Sequence, residues 1–149
     1  PKANAPEKIS FTCDSNTLWA NLALSSGTNI PDNNTAGSAV TWDNQNCPIQ
    51  SLTSATIEIC LNHSLISDLV WTIKAPSAAN PVTFAVPANW NTGGASCAAG
   101  TGRLQSIDLL PVLIVNASTR GPWTLQVSDR TLGNTGALMQ WRILLKGTN

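Results

Sequence analysis

Two-residue alternation of apolar and polar side chains runs through most of this sequence, and it dictates strands, because successive side chains of a strand point to opposite faces. Ala55, Ile57, Ile59 and Leu61 form one apolar row against Thr56, Glu58, Cys60 and Asn62. Leu69, Trp71 and Ile73 alternate with Val70, Thr72 and Lys74, and Val82, Phe84 and Val86 make a further row. Trp123, Leu125 and Val127 alternate with Thr124, Gln126 and Ser128, and Met139, Trp141, Ile143 and Leu145 alternate with Gln140, Arg142 and Leu144. Leu109 to Val115 is nearly all apolar and reads as a strand buried on both faces. Residues 17–24 are ambiguous between an alternating strand and a short helix capped by Ser15. Nowhere is a 3.6-residue period sustained. Pro31-Asp32-Asn33-Asn34, Ala75-Pro76-Ser77, Gly93-Gly94, Arg120-Gly121-Pro122 and Gly133-Asn134-Thr135-Gly136 punctuate the runs with turn chemistry. Many short strands separated by such turns predict an all-β sandwich of mostly antiparallel strands. Gly133 to Gly136 reads as a hairpin turn, with the Trp123 and Trp141 rows facing each other across it to build core.

Composition narrows the function. The 149 residues carry 8 Lys plus Arg and 8 Asp plus Glu, or 11% charged, against about 25% in an ordinary soluble domain. A net charge of zero argues against nucleic acid, which needs a cationic surplus, and against electrostatic docking to anionic membranes. A hydrophobic content of 42% argues against disorder. No run approaches the ~20 apolar residues of a membrane span. The single methionine is Met139, so the sequence is expected to be part of a longer protein, with any export signal upstream or removed. Cys13, Cys47, Cys60 and Cys97 contain no CxxC pair, which disfavours a zinc ribbon or a thioredoxin-like motif. In a chain rich in Asn, Ser and Thr they read as two structural disulfides of a secreted or cell-surface protein. Of the three pairings open to four cysteines, Cys13–Cys47 with Cys60–Cys97 is favoured, because it pins the N-terminal segment to the first sheet and the long Gly-rich loop to its neighbour.

Three separated stretches then converge on one family. The first is Ile30-Pro31-Asp32-Asn33-Asn34 followed by Gly37. The second is His63-Ser64-Leu65-Ile66-Ser67-Asp68-Leu69, then Trp71-Thr72-Ile73 and Ala75-Pro76-Ser77. The third is Gly121-Pro122-Trp123-Thr124-Leu125-Gln126-Val127-Ser128-Asp129, with Gly133 to Leu138 and Trp141-Arg142-Ile143. In order and spacing, from about Asn29 to Gly147, the chain resembles the P domain (Homo B domain) of kexin- and furin-type proprotein convertases, which bacterial secreted subtilisin-like proteases and metalloproteases also carry. The resemblance implies a β-sandwich of jelly-roll type that lies C-terminal to a protease catalytic domain, performs no catalysis, and packs on that domain to stabilise it. It divides the chain into an N-terminal segment, 1–28, serving as a linker or an added edge strand, and a P-type domain, 29–149. The partner it implies is the protease catalytic domain of the same polypeptide. The chain departs from the family at Ser67, where a Gly is usual, at Ser64, where Thr is usual, and in 89–108, where many bacterial members are acidic and this chain has only Asp108.

Candidate chemistry is sparse. His63 is the one histidine, and a serine or cysteine protease needs a histidine base held by an acid beside a nucleophile. No GxSxG or HExxH motif is present, so His63 reads as a hydrogen-bonded loop residue. Asp32, Asp68 and Asp129 sit in turns with oxygen ligands that suit calcium, the one candidate cofactor; capping of turn N–H groups is favoured over coordination. A second reading is a carbohydrate- or surface-binding module of a multidomain exported protein. Its support is Trp90, flanked by Asn89 and Asn91, as a candidate exposed stacking platform.

Overall fold

The computed structural model describes residues 7–15, 28–93, 95–97 and 102–149, so the ambiguous stretch 17–24 and Trp19 lie outside the described residues. The strands are β1 (Ser10–Asp14), β2 (Thr28–Ile30), β3 (Asn34–Asn44), β4 (Ser51–His63), β5 (Leu69–Lys74), β6 (Val82–Phe84), β7 (Ala95–Ser96), β8 (Arg103–Asp108), β9 (Gly121–Asp129) and β10 (Gly136–Thr148). They form two antiparallel sheets. One has the order β1-β10-β4-β8-β7, with β2 also pairing β10; the other runs β3-β9-β5-β6. From β2 to β3, β3 to β4, β4 to β5, β6 to β7, β8 to β9 and β9 to β10 the chain passes from one sheet to the other, the weave of a jelly-roll sandwich.

The alternating rows build the core. Ala55, Ile57, Ile59 and Leu61 of β4 are buried in one cluster with Trp71 and Ile73 of β5, Trp123, Leu125 and Val127 of β9, and Trp141, Ile143 and Leu145 of β10. Each Val, Leu or Ile among them contributes about 1.5–3 kcal/mol relative to leaving it exposed. Cys13 of β1 is bonded to Cys47 beyond β3. Cys60 of β4 is bonded to Cys97 beyond β7. Cys60 points away from the inward row of β4 and forms a small separate cluster with Cys97 and Met139. Arg142 of β10 spans its neighbours, reaching Asp14 of β1 through two hydrogen bonds of 2.8 and 2.6 Å and Glu58 of β4 at 3.6 Å. The hydrogen bond to Asp14, with the charges of Asp14 and Glu58, holds the Arg142 guanidinium above its ordinary pKa against the opposing effect of burial.

The structure corrects four sequence expectations. Gly133 to Gly136 is not a hairpin: β9 pairs with β3 and β5, β10 pairs with β1, β2 and β4, and the 130–135 connection crosses between sheets. The Trp123 and Trp141 rows do face each other, but across the sandwich. Alternation is identical in the two arrangements, so it did not distinguish them. Leu109 to Val115 is not a strand. It holds a 3-10 turn at Leu110–Val112, where Pro111 has no N–H to give to a ladder. Leu109 is fully buried, whereas Ile114 is 59% exposed. Met139 does not share the row of Trp141. The β4–β10 register shifts between Leu138 and Gln140, a bulge that turns Leu138 into the main core and Met139 out to the disulfide cluster. Finally, Trp90 is not an exposed platform: its exposure is 0%. Its ring stacks on Trp71 with centroids 5.9 Å apart and planes 6° from parallel, and its Nε1–H donates to the Arg103 carbonyl at 3.0 Å. The flanking residues hold the loop in place: the Asn89 carbonyl accepts from Thr92 and Gly93 N–H, and the Asn91 amide ties the loop to the His63 carbonyl at the end of β4.

Trp90→Ala is therefore expected to cost about 3–5 kcal/mol of unfolding free energy, the usual penalty for emptying a buried tryptophan site, measured by urea denaturation; a loss below about 1 kcal/mol would mean that the ring is not packed as described. Replacing Cys13 and Cys47 together by Ser opens a loop of sequence separation 34. The expected loss is about 3–5 kcal/mol from chain entropy, with an unfolding midpoint that no longer responds to reductant at that bridge.

Candidate functional site

The polar residues picked out in sequence gather where the last residues of β4 and β9 meet at one end of the sandwich. His63 ends β4 and Asp129 ends β9. His63 continues the inward row of Ala55, Ile57, Ile59 and Leu61, and Asp129 continues that of Trp123, Leu125 and Val127. Parity alone therefore points both side chains into the space between the sheets. There His63 Nε2 lies 2.9 Å from Asp129 Oδ2, and both side chains are 0% exposed. The backbone N–H of Leu65 donates to His63 Nδ1 at 3.1 Å. An accepting Nδ1 places the ring proton on Nε2, which donates it to Asp129. The other oxygen, Asp129 Oδ1, accepts from Thr131 N–H at 3.0 Å. The buried carboxylate is thus answered on both oxygens, as burial of a charge requires.

Around this pair the 130–135 connection is held at several points. Asp68, in the 3-10 turn Ile66–Asp68, accepts from the Asn134 amide at 3.0 Å, and its carbonyl accepts from Arg130 N–H at 2.8 Å. Ser64 Oγ donates to Asn134 Oδ1 at 3.1 Å. Asp32 accepts from Gly133 N–H through both oxygens at 3.1 Å. Gly133 has φ of +113°, a backbone that a side chain would strain. Ser67, the departure from the family pattern, is not among the described residues with positive φ.

Asp32, Asp68 and Asp129 are thus brought to one connection, but to different points of it, each accepting hydrogen bonds from the protein. Among the described residues no group of three or more His, Cys, Asp or Glu side chains is arranged to hold a metal ion. His63 does not form a triad either. A triad histidine keeps one nitrogen for the acid and turns the other to the nucleophile; here the acid and a backbone N–H occupy the two, and the adjacent Ser64 hydroxyl is turned to Asn134. Beside the cluster lies a groove of about 370 Å³ lined by Leu65, Trp71, Phe84 and Val86 among others. The His63–Asp129 pair and the role of Asn134 were missed in sequence reading. The signal for the pair was available, because both residues extend apolar rows by one more step of two. Asn134 carried no such signal, since its contacts depend on how the connection crosses between sheets.

No protein-family model matches the sequence, and no curated protein matches it. Among solved structures, the chain is similar to a chain of the complex of Aeromonas sobria serine protease with the chaperone, at 14% identity and a TM-score of 0.62, over 99% of this chain and 28% of that one. It is also similar to the serine protease of Aeromonas sobria, at 13% identity and a TM-score of 0.58, over 98% of this chain and 28% of that one. At these identities the likeness is one of fold, and the chain spans little more than a quarter of the length of the chains it matches.

Proposed function

We propose that this chain is a non-catalytic P-type β-sandwich domain of a secreted, subtilisin-like serine protease, and that it docks on the catalytic domain of the same polypeptide and stabilises it. The observation that carries this reading is the state of His63. It is the one histidine of the sequence, and both of its ring nitrogens are used inside the fold. No side chain remains to act as an imidazole base, while the same contacts close the end of the sandwich. The fold likeness to serine-protease chains more than three times longer supports an accessory place in such a protein. The two disulfides support an oxidising destination, secreted or at the cell surface. We assign Asp32, Asp68 and Asp129 to turn capping, not to calcium, because each accepts a hydrogen bond from the 130–135 connection.

The chain is expected to show no hydrolysis of casein or of peptide substrates. His63→Ala is expected to lower unfolding free energy by about 3–5 kcal/mol, since it leaves the Asp129 charge buried without its partner, and to leave the activity of an attached catalytic domain unchanged at temperatures where the variant stays folded. Hydrolysis by the isolated chain that disappears in His63→Ala would overturn the reading. The capping assignment has its own check. Thermal unfolding in excess calcium and in excess chelator should give the same midpoint, because an ion bound to the native state alone must raise it by mass action; a midpoint that falls in chelator would return the three aspartates to a metal site.

A further inference from the structure

Of the five described tryptophans, Trp71, Trp90, Trp123 and Trp141 are sealed in the core. Trp42 differs. On β3 it packs part of its surface on the core, and with another part it lines a hollow of about 360 Å³, within the span of roughly 300–1,000 Å³ usual for small-ligand sites. The rest of the hollow is polar. Asp43, Asn44, Gln45 and Asn46 follow Trp42 directly in sequence, Asp14 faces them from β1, and the Cys13–Cys47 bridge forms part of the wall.

The charges in this hollow exclude most ligand classes. Among the described residues no Lys or Arg lines it, and the nearby Arg142 is already paired with Asp14, so phosphate and sulfate groups find no free counter-charge. Both oxygens of Asp14 are already held by Arg142, so calcium, which takes six to eight oxygen ligands, would have to break that pair to use Asp14. What remains open is a set of forked hydrogen-bonding groups, amides and one carboxylate. Gln45 donates from Nε2 to Asp43 Oδ1, which leaves the second Asp43 oxygen and Gln45 Oε1 as acceptors. Asn44 is fixed by its amide donating to the Thr119 carbonyl at 3.1 Å. Asn46 is exposed, with both a donor and an acceptor to offer. An indole edged by such groups matches one chemistry: a ring with weakly positive C–H bonds to lie on the negative face of the tryptophan and paired hydroxyls to satisfy amides and a carboxylate at its rim.

We propose that the hollow at Trp42 is a subsite for a neutral carbohydrate. The wall is braced by the Cys13–Cys47 bridge and by the Asp14–Arg142 pair, so little ordering is required when a sugar binds. A single subsite of this kind is expected to bind with Kd of about 1 mM.

Titration of the full chain with maltohexaose, cellohexaose, mannohexaose and fully N-acetylated chitohexaose, followed by the Trp42 indole N–H resonance, tests the assignment. At least one of the four should shift that resonance saturably, while heparin should not. Asn46→Ala and Gln45→Ala lie on the exposed rim, and each should weaken binding about tenfold with an unchanged thermal midpoint; Trp42→Phe should weaken it while keeping an aromatic ring against the core. The proposal is overturned if none of the four saccharides shifts the resonance up to about 10 mM. It is equally overturned if Asn46→Ala and Gln45→Ala both bind as tightly as the parent chain, or if calcium alone produces the same shift and the saccharides do not.

Discussion

The pairing of β10 with β4 is the constraint on which the remaining structure depends. Both are thirteen-residue strands, and β10 also carries β1 and β2 on its other edge. A slip of one residue would turn every inward side chain of β10 to the outer face. The bulge at Met139 shows how the register is kept. It takes up one extra residue, so that Leu138 on one side and Trp141 and Ile143 on the other all enter the core. The start of β10 is fixed by Gly136, where an added Cβ would collide with the Asn62 carbonyl oxygen. That close approach brings the 130–135 connection against the end of β4, where the contacts of Ser64, Asp68 and Asp32 hold it. The polar end of the sandwich is thus a consequence of the strand register, and the buried His63–Asp129 pair sits where the two inward rows run out.

This dependence explains what the sequence could and could not disclose. Strand existence was legible because half-buried strands must alternate, and the β4, β5 and β9 rows are buried as their parity requires. Sheet membership was not, because β9 and β10 present the same apolar rows whether they pair side by side or face each other. Parity also fails wherever a residue is inserted, which is why Met139 was placed with Trp141. An apolar run such as Leu109 to Val115 has no parity to read, and Pro111 was the one sign that it could not enter a ladder. Trp90 was misread for a different reason. Its asparagine neighbours signal a polar loop, but Asn89 closes that loop and Asn91 ties it to the end of β4 while the ring turns under it to stack on Trp71.

The same physics separates structural from chemical roles at the site. A buried carboxylate demands donors, and Asp129 finds them in His63 and Thr131 N–H. With both ring nitrogens occupied, the feature that most suggests catalysis in sequence, a histidine beside a serine with an aspartate available, is what closes the fold. A His–Asp contact therefore distinguishes catalysis from capping only through the second ring nitrogen. In this chain that nitrogen accepts a backbone N–H two residues away.

The scarcity of charge has a parallel consequence. With 8 cationic and 8 anionic side chains, several of them absorbed by Arg142, Asp14, Glu58 and Asp129, little of the surface is organised by charge. Recognition by such a surface has to rest on shape, aromatic contact and neutral hydrogen bonding. Four tryptophans are consumed by the core, and their burial is a matter of packing. Trp42 is set by its strand at the margin of the sandwich, where the polar residues that follow it leave β3 for the disulfide-braced turn. An aromatic ring placed between core and amides, where the nearby Arg142 is already taken up by Asp14, selects for uncharged, hydroxyl-rich partners.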